Sequence, residues 1–224
     1  MNNIDFKYDI AKDAENFMIV AKEKKIKISS PFLEEKRFLK YKMYFEKYGP
    51  ILDKYKLNEF INEYIKKNKI NVAQKLKTIE NKWSQISKIF WPRAEKIFKT
   101  KLPYKQITIY LSISDVCAYN IKDGYFFVTM ESSYPNLTIV HELWHFFTWF
   151  SFGKNFKENN VISKERYYEI KESLTEILNL EFKDLLNSKV DKGYTPHQEI
   201  RREIRKLWTE KKDIRKIVDK LLKR

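Results

Sequence analysis

A chain of 224 residues, 43% hydrophobic and 16% aromatic, can bury a sizeable core as one large domain or as a catalytic domain with a helical extension. Four glycines and six prolines are too few for an all-β fold dense in tight turns, and the single cysteine, Cys117, excludes an internal disulfide and suits a reducing compartment. The net charge of +15 raises the question of a nucleic-acid or acidic protein partner.

The placement of that charge argues for a peripheral role. Residues 1–100 hold 23 Lys/Arg against 13 Asp/Glu, residues 101–190 hold 10 against 11, and residues 191–224 hold 12 against 6. The basic cluster Arg201, Arg202, Arg205 and Lys206 belongs to the last of these. Lysine dominates over arginine, and Lys, Asn and Ile are all abundant, so a biased composition explains the charge as well as a partner does. The N-terminus has no basic stretch followed by an apolar one, and no apolar run reaches the length of a membrane span. A cytoplasmic protein with no membrane contact is expected.

The first hundred residues read as helices. Asp9–Lys25 carries Ile10, Ala14, Phe17, Met18 and Ala21 at helical spacing. Ser30-Pro31 is a start signal for a helix that stops near Gly49-Pro50. A third helix covers Ile51–Lys67, and Asn71-Val72-Ala73-Gln74 resembles a capping box opening a long fourth. Pro92 is expected to kink or end that helix.

The pattern then changes to strands. Gln106–Ser112 alternates and is rich in Ile, Thr and Tyr. Val116–Ile121 and Tyr125–Met130 flank Lys122-Asp123-Gly124, a hairpin signal, so a small antiparallel sheet is expected. Ser133, Pro135 and Asn136 open the next helix, over the apolar run Leu137–Phe152, with Gly153 as its stop. Lys154–Ile162 reads as a polar loop. Ser163 caps a long helix through Asn187, and Thr195-Pro196-His197-Gln198 is a capping box before a basic amphipathic helix. Ile214–Leu222 follows as a further helix.

The apolar run contains His141-Glu142-Leu143-Trp144-His145. Residues four apart share a helix face, so both imidazoles can reach one Zn2+. Glu142 is then placed to take a proton from a water activated by the metal. This H-E-x-x-H pattern is that of zinc-dependent peptidases, and it uses two of the three histidines in the chain. A pair of core histidines on a buried helix would show the same spacing. A catalytic zinc takes three protein ligands, and no histidine follows soon after His145. A carboxylate is required, and Glu169, Glu172 and Glu176 share one face of a later helix.

His141-Glu142-x-x-His145, followed after 26 intervening residues by Glu172-Ser173-Leu174-Thr175-Glu176, resembles the gluzincin metallopeptidases, which include the thermolysin-like enzymes and the zinc aminopeptidases. The resemblance covers about residues 106–180. It implies Glu172 as the third zinc ligand and Glu176 as a carboxylate that orients a ligand histidine, His141. It implies that a strand before the active-site helix, with Val128, Thr129 and Met130, binds a peptide substrate as an added strand. Lys171 departs from the pattern, since many members place asparagine there, and no aminopeptidase recognition motif lies upstream. Endopeptidase action is therefore expected. His197 and Tyr194, at a helix start, are the candidates for stabilising the oxyanion. Small regulatory proteases of the ImmA type also combine H-E-x-x-H with a late glutamate. The expected fold is α+β and mostly helical: a helical region over 1–100, a zincin-like core over 101–190 and basic helices over 191–224. A basic binding protein built on a zincin scaffold is the alternative.

Overall fold

The computed structural model of the chain describes residues 3–159 and 161–223. Its fold is α+β and mostly helical, with one small sheet. Two compact units divide the chain differently from boundaries at 100 and 190. One consists of Asn2–Lys82 with Tyr104–Pro135, the other of Trp83–Pro103 with Asn136–Arg224.

Among the described residues, all the strands lie in the first unit. Asn3–Lys7 (β1), Gln106–Ser112 (β2), Tyr119–Asn120 (β3) and Tyr125–Thr129 (β4) form a sheet in the order β1-β2-β4-β3. The expected antiparallel sheet is corrected to a mixed one. β1 pairs parallel with β2 (Phe6 opposite Ile109), and β2 pairs parallel with β4 (Tyr110 opposite Phe127). Only β3 and β4 are antiparallel, through the hairpin read from Asp123-Gly124, where Gly124 has φ +68°. The connection from Ser112 to Tyr125 is about a dozen residues, long enough for a parallel return. β4 is therefore not an edge strand along its length. β2 flanks one side, and on the other Tyr119 and Asn120 oppose Phe126 and Tyr125, while Phe127 donates its amide to the Ala118 carbonyl. Val128 and Thr129 lie beyond the β3 register, and the Met130 amide donates to Ser112.

Three helices complete this unit. Ile10–Lys24 (α1) is capped by Asp9, whose carboxylate accepts the Ala11 and Lys12 amides. Ser30-Pro31 opens only a 3-10 turn, Pro31–Glu34, because Ser30 accepts the Lys27 amide and leaves the helix uncapped. The α-helix begins later, Leu39–Tyr48 (α2), and Asp53 caps Lys54–Lys67 (α3).

The side chains of α1 pin it to the loop after β2. Asp13, fully buried, accepts from Ser112 Oγ at 2.5 Å and from the Ile113 amide at 3.1 Å. Asn16 donates to Ser112 Oγ and accepts the Ala118 amide. Lys40 of α2, nearly buried, holds Asp115 and Glu131 at 2.7 and 2.9 Å.

The helix Val72–Phe98 (α4), opened by Asn71 accepting the Gln74 amide, runs through Pro92 without ending, and from Trp83 onward it belongs to the other unit. Proline removes the partner of the Lys88 carbonyl, but both residues lie on the exposed side, where water can replace the bond. Phe98 stacks on Phe147 and meets Trp144 edge-on, while Phe182 packs on Trp144 and Phe90. These rings fix Pro135–Thr148 (α5), the helix of the histidine motif.

Gly153 does not stop this run. The chain continues through a π-helical turn, Trp149–Gly153, into Lys154–Glu158 (α6), where a polar loop was expected; Asn160, within that expected loop, lies outside the described residues. Gly153 has helical φ, and a Cβ there would collide with the Tyr167 hydroxyl and the Trp149 ring. Its glycine serves close packing.

Asp13 supplies a test of this architecture. Burial pushes its carboxyl up to about 7, against the opposing effect of the Ser112 and Ile113 hydrogen bonds. The folded protein then holds a proton that the unfolded chain releases near pH 4. The stability this proton confers is present below pH 4 and is lost as pH rises through 7. The difference in unfolding free energy between wild type and Asp13→Asn, measured by urea denaturation, should change by on the order of 4 kcal/mol between pH 4 and pH 8. A pH-independent difference would contradict the burial of Asp13.

Candidate metal centre

His141 and His145 lie one turn apart on α5, with ring centroids 4.4 Å apart. The ring of His145 is buried and that of His141 is 23% exposed. Facing them is Glu172, in the last turn of Lys164–Ser173 (α7), a helix capped by Ser163 accepting the Arg166 amide. Glu172 Oε2 is 3.6 Å from His141 Nε2, and Oε1 is 3.4 Å from His145 Nε2.

One ligand atom from each of the three residues lies within 4.8 Å of the others. An ion bound at about 2.0–2.2 Å in a tetrahedral site has its ligand atoms roughly 3.3–3.6 Å apart, so the two carboxylate–imidazole separations suit a shared metal better than direct hydrogen bonds.

The charges follow from burial among opposite partners. Burial alone would lower His141, but Asp191 and Glu172 outweigh it and raise the imidazole to about 10. Burial and the neighbouring positive charges of Lys171 and His141 lower His145 to about 3. Burial works against ionisation of Glu172, yet His145, His141 and Lys171 hold it far below the usual carboxylate range. Glu142 is nearly buried, and burial pushes it up to about 7. Its Oε2 is buried with no hydrogen-bond partner among the described residues.

The helix carrying Glu172 is shorter than expected and breaks at Leu174-Thr175 before resuming as Glu176–Glu181 (α8). Side chains take the carbonyls at the break. Thr175 Oγ1 donates to the Glu172 carbonyl and Arg201 approaches it at 3.3 Å, while Trp144 Nε1 donates to the Leu174 carbonyl. The interruption alters the position of Glu176, which opens a new helix instead of lying one turn along the same face. Its carboxylate is held by Arg201 at 2.8 Å, by Arg205 and by Asn179.

The carboxylate on His141 is Asp191, with Oδ2 2.5 Å from Nδ1, an arrangement in which the ring donates from Nδ1 and turns Nε2 towards Glu172. Asp191 sits in the loop before the 3-10 turn Thr195–His197, where Asn179 bonds its backbone on both sides and the Gly193 amide donates to its Oδ1. The Asp-Lys-Gly order of that turn was the available sequence signal, but its partner lies fifty residues earlier on α5.

Arg201, read as part of a basic surface, is buried and donates to Thr175 and to the Asp191 carbonyl from Gln198–Lys211 (α9). Glu169 turns to Arg166 at 2.5 Å. Tyr194 lies tilted against Tyr168 and edge-on to His197, and burial followed by the negative charge of Glu172 raises its hydroxyl. His197 is buried against the same two tyrosines, with Nδ1 lacking a hydrogen-bond partner among the described residues. Val128, Thr129 and Met130 belong to the other unit.

The chain matches no family model, no curated protein and no solved structure.

Asp191 rather than Glu176 orients His141 in this geometry. Asp191→Asn should weaken zinc affinity by about 10–100-fold in competition with a chromogenic chelator, the usual effect of removing such a carboxylate. Glu176→Gln should cost much less. The reverse order would assign the orienting role to Glu176.

Proposed function

We propose that this protein is a zinc-dependent peptide hydrolase acting on internal peptide bonds. The observation that carries the reading is the Glu142 carboxylate, buried with an unpartnered oxygen beside two imidazoles and a glutamate that suit one tetrahedral ion. Two histidines and one carboxylate are the donor set of catalytic zinc sites that keep a position open. When bound, zinc supplies Lewis acidity to a water and to the scissile carbonyl.

The residues of the chain divide the remaining work. Glu142 accepts the proton of the attacking water on one carboxylate oxygen and gives it to the leaving amine. Its elevated affinity for protons favours the first half of that exchange, and the leaving amine, more basic still, takes the proton in the second. Asp191 keeps the proton of His141 on Nδ1, which leaves Nε2 free for the metal. Tyr194, whose hydroxyl is coupled electrostatically to Glu172 and Glu142, is the group best supported as a donor to the developing oxyanion.

Glu142→Gln tests the reading. The amide keeps the shape of the side chain but cannot take the proton, so the variant should retain zinc and lose hydrolysis of an unstructured protein such as casein by at least about 100-fold. Hydrolysis at the wild-type rate in the zinc-loaded variant would rule out Glu142 as the base.

A further inference from the structure

Lys171 precedes the candidate ligand glutamate in sequence and folds onto it. Its Nζ lies 2.7 Å from Glu172 Oε1, and its side chain is only 3% exposed. The ammonium also faces the ring of Tyr168 at 5.1 Å. Consecutive residues on a helix do not point at one another, so this contact is not a by-product of helical geometry. Burying an ammonium costs several kcal/mol unless it is paired. Here the partner is a carboxylate aimed at both imidazoles.

Geometry shows what such a cation does. Oε2 of Glu172 faces His141 and Oε1 faces His145, so both oxygens are within range of the same ion. A carboxylate so placed would chelate with both. The ammonium holds Oε1.

We propose that Lys171 is a positioning residue that restricts Glu172 to binding the ion through Oε2 alone. The protein then supplies three ligand atoms, and positions remain for water and substrate. The inference rests on the metal reading above.

Cobalt replaces zinc at such sites and reports coordination number in its visible spectrum, which is intense for a four-coordinate ion and weak for a higher-coordinate one. Metal-free protein titrated with Co2+ should give the intense spectrum in the wild type. Lys171→Met, without the hydrogen bond to Oε1, should lose intensity as Glu172 chelates with both oxygens, and Lys171→Arg should recover it. Identical spectra for wild type and Lys171→Met would overturn the inference. So would a weak, higher-coordinate spectrum in the wild type itself, which needs no variant to fold. Failure of the wild type to take up cobalt would overturn the metal reading and this inference with it.

Discussion

Glu172 is ionised inside the protein, and the surrounding packing answers to that constraint. A buried carboxylate needs opposite charge, and Glu172 has it: the His141 imidazole ahead, the Lys171 ammonium beside it and Arg201 against its backbone. Arg201 is itself buried, and it is matched by Glu176 and Asp191. Asp191 then returns to His141. The charges form a closed loop in which each member is the condition for burying the next. Deleting one leaves an uncompensated charge and not merely a lost contact.

The break between α7 and α8 belongs to the same arrangement. A straight helix would keep the Glu172 and Leu174 carbonyls in its own ladder. Thr175, Arg201 and Trp144 take them instead, which ties α7, α9 and α5 together at the residue that faces the histidines. The aromatic cluster of Phe98, Trp144, Phe147 and Phe182 supplies the rigid apolar support on the other side of α5. Side chains placed on packed helices hold their geometry better than side chains on loops.

The legible parts of this protein are the local ones. The four-residue spacing of His141 and His145 needs only helical periodicity, and the caps at Asp9, Asn71 and Ser163 need only their own next three residues. What depends on distant partners was not legible. β1 pairs with a strand a hundred residues away, and its five residues carry one buried side chain, so no periodic signal marks them. The resemblance assigns Glu176 to a ligand histidine, a placement that needs one continuous helix, while the side chains that break the helix come from elsewhere. Arg201 looked like one of four surface cations, yet it alone of Arg201, Arg202, Arg205 and Lys206 turns fully inward, to charges that composition cannot locate. Gly153 was read as a stop, and packing against Tyr167 and Trp149 is what requires it.

The central claim is that His141, His145 and Glu172 hold one zinc ion. Elemental analysis of the purified protein, beside a His145→Ala control of equal purity and folded content, tests it most directly. The account predicts close to one zinc per wild-type chain and a large loss in the control. Equal zinc in both proteins, or none in the wild type after exposure to excess metal and desalting, would contradict it.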